Sequence, residues 1–167
     1  MRLFRVAVLS FFLISLGHPV PGQALPPGTY AGIELGGPGG IGALTLHRIL
    51  GAHRSWQSIA QVGLSGFVQS GVSRRYLMVV PLMAKGIFHA GNHHIQLGMG
   101  QIVTFSTAPA FAFRGTAELG YRYQKPSGKW YVSLAYTPYY SYLLSRQFQH
   151  WGSLGVGLMI KKRPYEK

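Results

Sequence analysis

Segments in which large apolar residues alternate with small or polar ones follow each other along most of the chain. In residues 110–123, AFAFRGTAELGYRY, Phe113 and Leu119 occupy one set of alternate positions, and Arg114 and Glu118 occupy the other. A period of two places these two sets on opposite faces of a β-strand. Short runs of turn residues, such as GGPGG, GN and KPSGK, separate the segments. The pattern therefore predicts an all-β fold of antiparallel strands.

Eight segments show this pattern, in the order GTYAGIEL, IGALTLHRIL, SWQSIAQVGLSGF, RRYLMVVPLMAKGIF, HHIQLGMGQIVTF, AFAFRGTAELGYRY, KWYVSLAYTPYY and WGSLGVGLMIKK. Eight strands close around an interior that side chains can fill. The polar face consists mainly of Gly, Ser, Thr, Gln and His, which suits a narrow lumen, whereas the apolar face is long and continuous. We therefore expect an eight-stranded antiparallel up-and-down transmembrane β-barrel.

The composition agrees with this expectation. Charged residues make up 11% of the chain, less than half of the roughly 25% found in soluble domains. The 16 Lys and Arg residues face three acids, but they are scattered over strand ends and turns and form no basic helix, so we expect no nucleic-acid partner. The absence of Cys excludes a disulfide scaffold and thiolate metal sites.

The first 24 residues have the order of a secretory signal. The basic MRLFR precedes VAVLSFFLISL, an apolar run of 11 residues, and GHPVPGQA ends at Ala24. A membrane anchor needs about 20 apolar residues, so we expect cleavage after Ala24. This divides the chain into a signal peptide, 1–24, and an outer-membrane β-barrel with a short basic tail, 25–167.

An exported barrel with both ends in the periplasm fixes the side on which each connection lies. The turns near 50–55, 89–93 and 124–129 are then periplasmic, and the loops near 36–40, 67–75, 104–110 and 141–150 face the exterior. Aromatic residues gather near both sets of strand ends, as in the two girdles of membrane barrels. One predicted girdle contains Trp56, Tyr121, Tyr123, Trp130 and Tyr131, and the other contains Tyr139, Tyr140, Tyr142, Phe148 and Trp151.

Three stretches, IELGGPGG, VVPLMAKGIFHAGNHHIQLGMG and GYRYQKPSGKWYVSLAYTPYY followed by WGSLGVGL, resemble small outer-membrane β-barrel proteins of Gram-negative bacteria. The resemblance covers nearly all of the chain after residue 24. It implies the barrel fold, an outer-membrane location and insertion by the barrel assembly machinery, and it implies no activity. The chain departs from such barrels at its end, because MIKKRPYEK carries only Tyr165 in place of a terminal aromatic residue.

The polar face carries a set of charged and ionisable candidates for a lumen ion network: Glu34, Lys85, His94, Arg114, Glu118 and Arg122. A carboxylate in a narrow lumen requires a cation, since burying it unpaired is very costly. Two hypotheses remain open. The network is either a structural plug of the lumen or a gate that exchanges ion-pair partners and admits small solutes.

On the predicted exterior loops, Arg74, Arg75 and Arg146 are candidates for contacts with anionic lipopolysaccharide. Outer-membrane lipids are therefore the expected partners of a monomeric barrel. His89 and His93 have a spacing that would suit a metal on a helix, but the intervening GN turn removes this meaning. We expect neither a metal nor a cofactor.

The function expected from these features is non-catalytic, namely membrane integrity, surface interaction or a plugged channel. A first alternative is a lipid-modifying enzyme, an acyl hydrolase or transferase, that uses Glu118 with a His and a Ser on the barrel wall. No motif fixes the spacing of such a triad, and the chain contains no Asp. A second alternative is a secreted soluble carrier of an apolar ligand, similar to lipocalins. This alternative predicts large apolar residues inside the barrel and charge outside.

Overall fold

The computed structural model describes residues 25–52, 56–69, 75–107, 111–141 and 148–162, so the predicted signal peptide lies outside the described residues. The strands are β1 (Gly28–Gly36), β2 (Gly42–Ala52), β3 (Trp56–Gln69), β4 (Arg75–Ala90), β5 (His93–Ser106), β6 (Phe111–Tyr123), β7 (Trp130–Tyr136), β8 (Tyr139–Ser141), β9 (Phe148–Gln149) and β10 (Gly152–Lys162). A short 3₁₀ helix, Gly37–Gly39, connects β1 to β2. The described residues contain no helix that combines the length and the apolar character needed to cross a bilayer.

The strands form one closed antiparallel barrel. Each of β1 to β6 pairs with the strand that follows it, β7 pairs with β10, and β10 pairs with β1 to close the ring. Thr137 and Pro138 divide the seventh barrel strand into β7 and β8, which both pair with β6. Proline has no N–H to donate to the neighbouring strand. The predicted eight-stranded antiparallel barrel is thus confirmed.

The strands are strongly staggered around the barrel. A row of paired residues that starts at Gly36 in β1 passes Ala135 in β7 and Gln96 in β5 and reaches Ala52 in β2. Ala52 lies beyond Arg48, the residue of β2 that pairs with Thr29 at the start of β1. The row is therefore displaced by about ten residues after one circuit of the barrel, a stagger that goes with strands tilted by roughly 35–45°. We call the barrel end that holds Gly28 and Lys162 the terminal end and the opposite end the loop end.

The two faces of the barrel differ sharply in polarity. The described residues include 17 buried polar or charged side chains and only 12 buried hydrophobic ones, so the interior is mainly polar. The outer face carries large apolar side chains, such as Leu44, Leu134 and Val156. The alternation is exact along β3, where Gln61 is buried and Val62 is exposed. The assignment of the polar face to the interior is therefore confirmed.

Two tyrosines assigned to the girdles point into the barrel instead, so this prediction was wrong. Tyr131 is 2% exposed and Tyr139 is 6% exposed. Tyr131 lies flat against the inner wall, where a Cβ atom on Gly157 would come within 2.4 Å of its ring. The glycine leaves the space that this ring occupies. Trp56 and Trp130 are exposed on the outer face near the terminal end, as expected, whereas Tyr142 lies outside the described residues.

The GGPGG segment folds over the lumen at the loop end rather than extending to the exterior. Gly37, Pro38 and Gly39 are all buried. The backbone φ angle is +74° at Gly37, a value that favours glycine. A Cβ atom on Gly37 would also lie 2.3 Å from Oε1 of Glu34. The glycines thus let this segment cover the lumen directly above a buried acid.

Candidate functional site in the barrel lumen

An ion pair between Lys85 and Glu118 occupies the middle of the lumen. Lys85 lies on β4 and Glu118 on β6, and both pair with Gly98 on the intervening strand β5. Because Gly98 has no side chain, the ammonium group and the carboxylate meet above it, with their side chains 4% and 2% exposed. A Cβ atom on Gly98 would lie 3.0 Å from Cγ of Lys85. The local sequence therefore creates the space for this pair.

The second acid of the lumen, Glu34, lies below the Gly37–Gly39 segment and is buried. Its carboxylate accepts a hydrogen bond from Nε2 of Gln61 at 3.2 Å and interacts with the hydroxyl of Ser153. Lys85 also attracts Glu34 electrostatically. One lysine therefore stands in the field of two carboxylates, with a direct contact to Glu118.

Arg122 is fully buried and is held without a direct carboxylate contact among the described residues. Its Nε donates to Oε1 of Gln124 at 2.9 Å, and its Nη2 donates to the same oxygen. The guanidinium lies 3.7 Å from the ring centre of Tyr131 and 5.2 Å from that of Tyr30. Cation–π contacts and a side-chain amide thus take the place of an ion-pair partner.

His94 packs against a second histidine at the terminal end. Its Nε2 lies 3.0 Å from the backbone oxygen of Gln124, and its Nδ1 lies 3.2 Å from Nδ1 of His89. The carbonyl assigns the proton of His94 to Nε2, so His89 donates between the two rings. In the part of the chain that the structure describes, no group of three or more potential metal ligands comes together.

Arg114 lies on β6 nearer the loop end and is half-buried. It neighbours Ile102 on β5 and Ser141 on β8 in the sheet. The positive charge of Arg114 interacts electrostatically with the hydroxyl group of Tyr139. The lumen candidates thus form several contact groups rather than one chain of ion pairs.

The lipopolysaccharide candidates give less information. Arg74 and Arg146 lie outside the described residues, and Arg75 is the first residue of β4 at the loop end. Contact with lipopolysaccharide therefore stays a prediction.

Apolar layers lie at both ends of the polar lumen, and the sequence reasoning missed them. The layer at the terminal end contains Leu25, Tyr30, Ile49, Ile59, Ile87 and Tyr131. The layer at the loop end contains Val79, Ile102 and Tyr139. Strand parity could have revealed most of them, because Ile59, for example, shares the inward face of β3 with Gln61.

Comparison with known proteins adds no further guide to this site: no protein-family model matches the chain, and no curated protein matches it.

Proposed function

We propose that this protein is an integral β-barrel of a Gram-negative outer membrane, with a plugged lumen and a non-catalytic role in membrane integrity or surface interaction. The observation that carries the proposal is the distribution of polarity. The lumen holds the ion pair between Lys85 and Glu118 and the buried Arg122, while the outer wall is apolar. Such a wall is suited to lipid.

The outer wall is difficult to reconcile with water. Soluble monomers rarely expose a continuous apolar patch larger than a few hundred Å². On β10 alone, Leu154, Val156, Leu158 and Ile160 are all exposed and follow each other along one face. A closed barrel satisfies every strand without an open edge, which is the condition for a β-structure in a bilayer.

Strand length and the exposed tryptophans also favour a membrane location. Strands β3 to β6 contain 14, 16, 14 and 13 residues, and a tilted strand needs about 9–11 residues to cross the hydrocarbon. Trp56 and Trp130 lie on the outer face near the terminal end, where the membrane interface would favour them. The predicted signal peptide supplies the route of export.

The alternatives receive less support. A lipocalin-like carrier requires an apolar cavity, but the middle of this lumen holds charged and polar side chains. An enzyme of the barrel wall requires an acid, a histidine and a nucleophile that are joined by hydrogen bonds. Glu118 contacts Lys85, and His47 contacts the hydroxyls of Tyr131 and Thr45. These contacts are those of a plug, and they pair Glu118 with a lysine rather than with a histidine.

Mobility on a denaturing gel tests the membrane part of the proposal. The protein is purified from the outer membrane of a Gram-negative expression host, and heated and unheated samples are compared. We expect a shift on heating, together with flotation of the unheated protein with lipid vesicles. A water-soluble protein without a heat-dependent shift would refute the proposal.

Conductance tests the plugged lumen. Reconstituted into a planar bilayer, the protein is expected to show no steady current. Sustained ion flow through the unmodified protein would refute the plug, because it requires an open path past Lys85 and Glu118.

A further inference from the structure

Leu25 enters the barrel although it belongs to no strand. It is 0% exposed and packs into the apolar layer of the terminal end, with Ile49, Ile59 and Ile87 as its aliphatic partners. Every other member of this layer is an inward-facing residue of a strand. Leu25 is thus the one member that the chain brings in from the terminal opening.

Side chains of two strands hold the backbone of this entering segment, and a third side chain supports one of them. Gln57 on β3 donates from Nε2 to the backbone oxygen of Leu25 at 2.8 Å. Tyr30 on β1 donates its hydroxyl hydrogen to the backbone oxygen of Pro26 at 3.1 Å. Gln124, which follows β6, donates to the hydroxyl of Tyr30 at 3.0 Å. The segment is therefore bound by specific hydrogen bonds as well as by apolar packing.

The side-chain amide of Gln57 has a second polar atom, Oε1, that accepts no hydrogen bond from the described residues. Gln57 is 0% exposed, and its Oε1 has no hydrogen-bond partner among the described residues. A buried acceptor without a donor is costly. This oxygen belongs to the same amide group whose Nε2 binds the carbonyl oxygen of Leu25.

We propose that Gln57 and the apolar layer form a binding site for the mature amino terminus of this same chain, with Leu25 as the first residue. The inference rests on the proposed function, because it requires export and signal removal. Hydrolysis of the Ala24–Leu25 peptide bond by a signal peptidase consumes one water. The carboxylate leaves on Ala24, and the protonated amine stays on Leu25.

Hydrolysis replaces the single, directed peptide N–H of Leu25 by a freely rotating ammonium group with three N–H donors. In the proposed site, one of these donors is assigned to Oε1 of Gln57, while Nε2 of Gln57 retains the carbonyl oxygen of Leu25. The site thus recognises residue 25 by its side chain, its carbonyl oxygen and its charged nitrogen, a mode of amino-terminal capture by polar groups. In the barrel, this arrangement closes the terminal end of the lumen with the first residue of the mature chain.

Amine labelling tests the site. Mature protein is purified from outer membranes, its first residue is established from the intact mass, and it is treated with an amine-reactive ester near neutral pH. There an α-amine, with a pKa of about 7.7–8.0, reacts ahead of lysine, with a pKa of about 10.4. We expect the α-amine to react at least ~10-fold more slowly in the folded barrel than in urea, because a buried group reacts only when its surroundings open locally.

Two variants and one control make the test specific. Gln57→Leu and Leu25→Ala are expected to bring the folded-state labelling rate close to the unfolded one. Leu50→Ala removes the same side chain from the outer face of the same end, where Leu50 is 61% exposed, and is expected to preserve protection. The heat-dependent gel shift verifies that each variant is folded.

Equal labelling of the folded and unfolded wild-type protein would overturn the inference, and so would a mature chain that begins at another residue. Both results are independent of whether the variants fold. Failure of the membrane proposal gives a different result, namely the loss of the gel shift and of vesicle flotation.

Discussion

The ion pair between Lys85 and Glu118 gives the sharpest prediction for stability. Glu118→Gln preserves the shape of the side chain and removes its charge, which leaves Lys85 with a side chain that is 4% exposed and has lost its direct partner. Breaking one half of a buried pair costs about 3–5 kcal/mol. Because Glu34 also attracts Lys85, we expect a loss near the lower limit, about 3 kcal/mol.

Urea unfolding in lipid vesicles, followed by tryptophan fluorescence, measures this loss. Lys85→Met is expected to destabilise the barrel by a similar amount, because it leaves the carboxylate of Glu118 unpaired. The double variant is expected to be more stable than either single variant, since it leaves neither Lys85 nor Glu118 charged without its direct partner. Single-variant losses below about 1 kcal/mol, or strictly additive losses in the double variant, would refute the reasoning.

Two further predictions use the same unfolding assay. Gly37→Ala and Gly91→Ala both place a side chain at a φ near +70°. Each is expected to lower the free energy of unfolding by about 1–2 kcal/mol because of this backbone conformation. Only the new methyl group at position 37 also meets Oε1 of Glu34, since nothing lies within 4 Å at Gly91. Gly37→Ala should therefore lower the free energy of unfolding by at least about 1 kcal/mol more than Gly91→Ala. Equal losses would contradict the close fit of the Gly37–Gly39 segment over Glu34. Tyr131→Phe removes the hydroxyl 3.0 Å from Nε2 of His47 and should cost about 1 kcal/mol, whereas an unchanged midpoint would show that this contact adds no stability.

The alternation of residue types was sufficient to predict the barrel and the direction of most side chains. A strand with one buried face cannot shift its register by one residue without exposing that face. Gln61 and Val62 therefore had only one consistent orientation. The charged candidates on β4 and β6, Lys85 and Glu118, followed from the same parity.

Contacts that depend on three-dimensional register could not be predicted in this way. Trp130 and Tyr131 are adjacent aromatic residues, so residue type alone did not show which of them lies on the outer face of the barrel. The choice of Glu118 over Glu34 as the direct partner of Lys85 depends on the position of Gly98 between two strands. Leu25 precedes β1 and has no periodicity that could have placed it in the lumen.

The outer wall on β10 provides the most direct test of a membrane location. Val156 lies near the middle of this strand and Ile160 near its end, and they are 50% and 61% exposed on the same face. In a bilayer, Val156→Arg should reduce the free energy of unfolding by about 2–4 kcal/mol and Ile160→Arg by about 0–1 kcal/mol, because the cost of a charge depends on its depth. Measured by urea unfolding in vesicles, a clear difference between the two variants is the predicted result. Small and equal effects at both positions would contradict a lipid-facing wall.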